Sequence, residues 1–477
     1  MSAFSLADAP ARGFRVGESG LSASTAALIV SAIPTGEWAN DDERRALEAA
    51  LTPELCRPPT LPMAAAPPPD RGDPRPRDAT RPTATARRTR VFTDYPALRA
   101  DAREARVDFV DDEASADVLW LVRHVRSFTE VPAHQRVLQF PYEGGFVRKD
   151  LLPLSVRRHC FDPPGARDGA PRWWLECYDL ATEFHLFRGA CLAGDGGGAD
   201  GDNESDDADT RGGWWILKPA QGTHAKGHII VGSLGAAARA LAAEQQPPPP
   251  PSPVASPDAP PPPPPPPSDR VAQRLVTNPM LVRGRKFDMR AFVVVRAFAP
   301  RLDAHLHALI HARLAPKPYD AARPDDAAAA LTVCCYDADA AVAARQERLL
   351  LPALAAALDE GGAGRACDVE RDLLAPTRAM LAELFGGLAP SVGAWPRSRA
   401  YYAIDWIFED EPGDGNGAAP RLIEVNYMGD LAAPRVACEQ ASDPALYHEF
   451  VDDLIDACAT EEDLDANPRF TRLVAPE

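Results

Sequence analysis

Tyr402-Ala-Ile-Asp405-Trp-Ile-Phe408 and Arg421-Leu-Ile-Glu424-Val-Asn426, separated by the Gly/Pro-rich residues 409–420, decide how this chain is read. Both runs alternate like strands, and the intervening EDEPGDGNGAAP has the composition of a hairpin connection. Glu424 and Asn426 stand at i and i+2, so both side chains leave one face of the second strand. A register that sets Asp405 opposite them gathers two carboxylates and one amide oxygen inside a hydrophobic strand pair. Unpaired charges against a core are costly. A hard cation bridged to phosphate oxygens removes that cost, and Mg²⁺ is held this way, by one or two carboxylates plus a nucleotide. Read alone, the pair also fits a solvent-facing hairpin edge with ordinary charges.

Upstream, Gly213-Trp-Trp-Ile-Leu-Lys218-Pro219 reads as a buried strand ending in a lysine. Ala220-Gln-Gly222-Thr-His-Ala-Lys226-Gly227 follows, a loop of small residues that leads into a second strand, His228-Ile-Ile-Val231. Such a loop can lay backbone N–H groups over a polyphosphate while its lysines supply positive charge. It is not a Walker loop, because Lys226 precedes the second glycine and His228 follows it, where Lys-Ser/Thr is required. No Gly-x-Gly-x-x-Gly turn opens a helix, which disfavours a dinucleotide fold. A plain hairpin turn is the other reading.

A third stretch begins Val271-Ala-Gln273-Arg274-Leu275 and passes through Asn278-Pro-Met-Leu-Val-Arg-Gly284 to Arg285-Lys286-Phe-Asp288-Met-Arg290. It runs into Ala291-Phe-Val-Val-Val-Arg-Ala-Phe298, a strand by its β-branched content. Lys286, Asp288 and Arg290 alternate, so all three point one way. They form either a charged ladder on a solvated sheet face or one wall of a site.

Taken in order, the Lys218 strand, Lys226-Gly227, the Gln273-to-Arg290 stretch, Ile404-Asp405 and Ile423-Glu424-Val-Asn426 resemble the signature of the tubulin-tyrosine-ligase-like enzymes, which are ATP-grasp ligases. The likeness runs from residue 90 to residue 458, with poor continuity over 160–210. Within the family it is strongest to a subgroup that carries a large SET-like N-terminal region, of which the first 85 residues show no counterpart. Val91-Phe-Thr-Asp94, Ser115-Ala-Asp-Val-Leu119, Gln139-Phe-Pro141 and Leu331-Thr-Val-Cys-Cys-Tyr336-Asp337 carry that finer likeness.

The resemblance implies an α+β ATP-grasp fold with the nucleotide between a central and a C-terminal lobe. By it, Lys218 holds the α/β-phosphates, and Lys226 and Gly227 belong to the phosphate-covering loop. Gln273, Arg274 and Leu275 form the hinge beside the adenine. Lys286 and Asp288 face the nucleotide, Arg290 faces the reacting carboxylate, and Arg313 engages a substrate carboxylate. Asp405, Glu424 and Asn426 hold Mg²⁺. In the family's chemistry ATP phosphorylates a carboxylate, and an amino group then displaces the phosphate to form an amide, so the protein mostly positions groups and neutralises charge. The implied partners are ATP, a free amino acid, and tubulin or another acidic protein tail. Two departures bear on turnover: Thr223-His224-Ala225 replaces Ser-Gln-Gly in the loop, and Val333-Cys-Cys replaces the usual asparagine stretch. The alternative is an ATP-binding pseudo-ligase without activity that regulates tubulin or another acidic partner.

Composition bounds these readings. A chain of 477 residues has room for two or three domains. Nine cysteines, an odd number without Cys-x-x-Cys, argue against a disulfide framework and a zinc ribbon. No run of 18 apolar residues and no secretion signal is present, so no membrane partner and a cytoplasmic, microtubule-associated location are expected. The net charge of −18 disfavours nucleic acid, and a monomer is expected. Nine Lys/Arg against two Asp between residues 274 and 317 suggest a basic groove for an acidic peptide; a solvated mixed-charge sheet is the other reading.

The expected organisation is a short helical segment over 1–51, a Pro/Arg/Ala-rich linker over 52–85, the ligase-like domain over 86–460 and a tail over 461–477. Within the domain, 195–210 reads as an acidic disordered insertion. Residues 247–269 form a polyproline insertion, and fifteen prolines fall in 247–267. That run is either a spacer or a ligand for a proline-binding module. Ala-rich stretches at 324–330 and 338–358 are expected helices. His305, His307 and His311 have the look of a metal motif but lack a further ligand.

Overall fold

Val91, Val107 and Val118 are the buried anchors of three short strands near the start of the described chain. With Arg136–Val137 they make a parallel sheet: β1 (Thr89–Thr93), β2 (Val107–Val110), β3 (Val118–Trp120) and β4, in the order β2-β1-β3-β4. Parallel neighbours need a crossover, and the helix Pro96–Asp101 supplies it, with proline in its first turn, where no N–H is missed. The computed structural model describes residues 87–162, 169–193, 213–220, 226–244, 269–333, 346–360, 367–393, 395–410 and 418–473. Residues 1–86, the acidic insertion over 195–210, nearly all of the proline insertion, Thr223–Ala225 and Cys334–Cys335 lie outside the described residues. All described residues but Arg87 fall in one compact unit, Arg88–Glu477.

The second sheet is antiparallel: β5 (Cys177–Asp179), β6 (Trp215–Pro219), β7 (Ile229–Val231) and β8 (Arg270–Arg274), ordered β5-β8-β6-β7. Trp215 and Leu217 alternate with Lys218 along β6, so one face is apolar and meets Phe187 and Ala190 of the helix Phe184–Ala193. The other face carries Ile216 and Lys218 toward a cavity.

The third sheet has eight strands: β9 (Leu281–Val282), β10 (Arg285–Ala297), β11 (Asp303–His307), β12 (His311–Leu314), β13 (Arg348–Leu350), β14 (Ala400–Asp410), β15 (Ala418–Tyr427) and β16 (Phe470–Arg472). Its path is β13-β12-β10-β11-β16, with β14 bound to β10 and β15 bound to β14. β10 is the spine. Its odd residues Phe287, Met289, Ala291, Val293 and Val295 enter one core with Leu381 and Phe385 of the helix Ala375–Leu388. Phe292 and Val294 enter a second core under Phe450 and Leu454 of the helix Pro444–Ala459. The same even face starts with Lys286, Asp288 and Arg290, so one strand face is site at one end and core at the other.

Two expectations are corrected. Of the stretch expected as a helix over 338–358, residues 338–345 lie outside the described residues, Arg348–Leu350 pairs with β12 instead, and the helix Leu351–Glu360 follows. An open sheet edge there outweighs helical propensity, which is weak whenever tertiary pairing competes. The expected tail over 461–477 contains β16, whose Phe470 is buried against His307.

Gly429 shows how tightly the second core closes. A Cβ placed there would stand 2.1 Å from the Cβ of Ala403 and 3.3 Å from Phe292. Gly429→Ala is expected to cost about 1–3 kcal/mol by overpacking, read as a lower urea midpoint with an unchanged m-value; an unchanged midpoint would mean the segment relaxes freely.

Candidate functional site

A cavity of about 550 Å³ lies between the second and third sheets, with Tyr95 and Val122 of the first sheet's loops at one rim. That is within the range of small-molecule sites. Eleven residues singled out from sequence line it: Lys218, Gln273, Arg274, Leu275, Lys286, Asp288, Arg290, Arg313, Asp405, Glu424 and Asn426. Lys226 and Gly227 are described but do not line it.

At the lysine end, β6 carries Lys218 into the cavity, almost fully buried. Its Nζ donates to Gln273 Oε1 at 2.6 Å, and Gln273 Nε2 donates to the Ile423 carbonyl at 3.2 Å. Gln273 therefore clamps the two sheets together through its side chain. Burial pushes the Lys218 pKa down, with the nearby Glu424 charge working against it. Gly227 turns the chain with φ +72°, and its carbonyl accepts from Arg270 Nη1 at 2.6 Å. Arg274 stacks on Trp215 at 4.2 Å and pairs with Glu176 at 3.1 Å, so its charge is already engaged.

Two basic lining residues escaped the sequence reading. Lys149, between the helices Gly144–Val147 and Leu152–His159, places Nζ 3.5 Å from Glu424. Its only sequence signal is a basic residue in Arg148-Lys149-Asp150, too common to stand out. His228 also lines the cavity; burial pushes its pKa down to about 3, and Lys218, Lys149 and Arg270 add to the shift.

The third sheet builds the opposite wall, and its charged residues fall in transverse rows. Leu350, His311, Arg290, Asp405 and Glu424 stand opposite one another across β13, β12, β10, β14 and β15. Directly opposed residues share a sheet face. Arg348, Arg313 and Asp288 form the next row. Arg290 donates Nε and Nη2 to the two oxygens of Asp405 at 2.7 and 2.6 Å. Arg313 grips Asp288 the same way at 2.9 and 2.5 Å and also reaches Asp405 at 3.0 Å. Burial opposes the ionised Asp405, only 1% exposed, but Arg290 and Arg313 outweigh it and hold its carboxyl well below the usual range. For Arg313 burial is again the opposing influence, and Asp288 with Asp405 more than offsets it.

The hairpin pairs as expected, with Asp405 opposite Glu424 and Asn426 opposite Ala403. A register shift beyond Asp405 leaves Ile423 as an extra residue. That bulge sets Ile423 with Ile407, Leu175 and Val276 in an apolar slot. Lys286 closes the slot's side, donating to the Val276 carbonyl at 2.7 Å with the Tyr319 ring 5.4 Å away.

Asp405, Glu424 and Asn426 present oxygen donors of the kind Mg²⁺ takes. Asn426 Nδ2 donates to Glu424 Oε1 at 3.1 Å, and the Glu424 side chain is 22% exposed. The set fits the ion, with one qualification of roles: both Asp405 oxygens already accept from Arg290, so Glu424 offers the accessible carboxylate. The histidine motif is resolved differently. His305 and His307 each meet an aspartate at 3.1 Å, Asp465 and Asp453, and no group of three metal-type side chains occurs among the described residues. The basic excess over 274–317 is not a bare groove either: Arg283 pairs with Glu347 at 3.0 Å, Lys317 with Asp326 at 3.4 Å, and Arg285 with Glu347.

Comparison with known proteins agrees with the signature. The model of the tubulin-tyrosine ligase family matches residues 127–466. The chain is 22% identical over 389 residues to tubulin-tyrosine ligase-like protein 12 of Caenorhabditis briggsae, covering 78% of this chain and 48% of that one. It is 22% identical over 393 residues to the protein of the same name from Caenorhabditis elegans, covering 79% and 49%. The chain thus spans about half the length of these curated relatives. Their subgroup is the one that the finer sequence likeness indicates.

Burial lowers the Lys286 pKa from 10.5 to about 7. Between those values the unfolded chain holds a proton that the folded chain has released, so folding stability gains as pH rises through that window. Compared with Lys286→Met, the wild type is expected to gain up to about 1.4 kcal/mol per pH unit from pH 7 to 10, measured by urea unfolding. A difference flat with pH would show that Lys286 keeps an ordinary proton affinity.

Proposed function

The chain belongs to the tubulin-tyrosine ligase family, and on that premise we propose that it is an ATP- and Mg²⁺-dependent protein–amino acid ligase. In this reading it joins an amino acid to an acidic protein tail, of tubulin or a similar acceptor, through an acyl-phosphate. Family membership supports a ligase-type function; the cavity supports the finer reading. The observation that carries it is the order of contacts along one cavity. Lysines lead to oxygen donors and then to arginines: Lys218 and Lys149, then Glu424, Asn426 and Asp405, then Arg290 and Arg313. That is the order in which polyphosphate, metal and carboxylate would lie during phosphoryl transfer to a carboxylate.

Each group has a task its environment suits. The slot of Leu175, Val276, Ile407 and Ile423 offers a planar base two apolar walls and the Val276 region's backbone. Lys218 and Lys149 supply point charges to phosphate oxygens, and the burial of Lys218 makes its charge act in a poorly screened medium. Asp405, Glu424 and Asn426 would hold Mg²⁺, which supplies charge neutralisation to the phosphates. Arg290 and Arg313 present forked N–H groups that match a carboxylate. A second reading, an ATP-binding regulator without turnover, draws on one specific observation: both forks are already filled by Asp405 and Asp288.

Mass spectrometry of tubulin incubated with the protein, ATP·Mg²⁺ and mixed amino acids separates the two. A mass increment is expected with the wild type. Lys218→Ala and Glu424→Gln are each expected to lower its rate by roughly 10²–10³-fold, as for loss of one preorganised charge-stabilising group. No increment from a wild type shown separately to bind ATP would overturn the ligase reading in favour of the regulator.

A further inference from the structure

The His311 ring takes no part in the hydrogen bonding among the described residues around it. It stands opposite Arg290 in the β10–β12 register, and Arg313 follows two residues along the same face. The residue is 0% exposed, and among the described residues neither Nδ1 nor Nε2 has a hydrogen-bond partner. A neutral imidazole carries one donor and one acceptor, so two polar atoms are buried without compensation. Such atoms are uncommon in native interiors and call for an explanation. His305 and His307 on the neighbouring β11 show the ordinary outcome, each against an aspartate. Burial keeps His311 neutral, and Arg313, Arg290 and Arg348 reinforce that.

The arginines show why the acceptor is idle. Arg290 directs Nε and Nη2 at Asp405, and Arg313 directs the same atoms at Asp288. A ligand carboxylate or phosphoryl group has the same paired-oxygen geometry as those aspartates. When a guanidinium turns to such a ligand, an N–H that leaves the aspartate needs another acceptor, or the gain is cancelled. A further anion there would hold the arginine back; a neutral nitrogen would not.

We propose that His311 is a positioning residue for the arginine pair, its ring nitrogen accepting an N–H from Arg290 or Arg313 when that arginine takes up a ligand's carboxylate or phosphoryl oxygens. This role rests on the reading of the cavity as an ATP and carboxylate site.

Calorimetric titration of the full chain tests it with three probes: ATP·Mg²⁺, ADP·Mg²⁺, and a glutamate-ended peptide added with a non-hydrolysable ATP analogue. His311→Leu removes the acceptor, and His311→Asn retains an amide oxygen. The leucine variant is expected to weaken ATP relative to ADP, or the peptide, by roughly ten- to a hundredfold, the value of a hydrogen bond to a charged group. The asparagine variant is expected to recover most of that loss. A loss confined to ATP assigns the anion to the γ-phosphate; one confined to the peptide assigns it to the substrate carboxylate. Without ligand, His311→Leu is expected to melt at or about 1–3 °C above the wild type, because an uncompensated polar group is gone. Wild-type affinities in a folded leucine variant overturn the role, as does a lower melting point in which asparagine rescues nothing. If the wild type binds neither nucleotide, the cavity's functional reading fails and this role fails with it.

Discussion

Asp405 sits near the centre of an eight-stranded sheet with two arginines reaching it, and much of the surrounding architecture answers to its charge. A carboxylate so deeply buried is tolerable only if paired and hydrogen-bonded. Arg290 meets that demand from β10, which pairs with β14, and Arg313 from β12, one strand further, and Asp288 balances the second arginine. Removing one partner from such a pair typically costs about 3–5 kcal/mol, a large share of the roughly 5–15 kcal/mol that a domain has. Register is therefore enforced twice. Slipping β10 by one residue would turn Asp288 and Arg290 into the core of Met289 and Ala291.

The parts legible in the sequence were those written in a period of two. Alternation along 285–297 and across the 400–427 hairpin gave the central strands, their shared face and the Asp405–Glu424 apposition. Order among unlike motifs gave the family. What alternation does not encode stayed hidden. The bulge that frees Ile423 depends on how two strands are matched, not on either strand's pattern. Lys149 enters from a loop between two short helices, where no periodicity marks a direction. The pairing of Arg290 with Asp405 joins residues 115 apart in the chain, so the reading that aimed both at ligands could not see them facing each other. β13 and β16 are three-residue strands fixed by the edges they meet, and local composition said helix and tail instead.

The two ends of the cavity differ in how well their charges are met, and that difference governs how an anion can enter. At the lysine end the cations are under-compensated: burial depresses the pKa of Lys218 and of Lys286, and His228 is kept neutral beside them. An anion arriving there relieves an existing cost, and among the described residues Lys218 donates to an uncharged amide, that of Gln273. At the arginine end the forks are already filled, and an anion must displace an aspartate from a bidentate pair. The displaced aspartate then needs a counter-charge of its own, or the exchange leaves a buried charge bare. A cation held at Asp405 beside Glu424 and Asn426 would supply it. On the proposed ligase reading, the ion pairs of the cavity would tie carboxylate capture by the arginines to prior loading of the lysine end and its oxygen corner. Nothing more than the existing pairs is needed to impose that order.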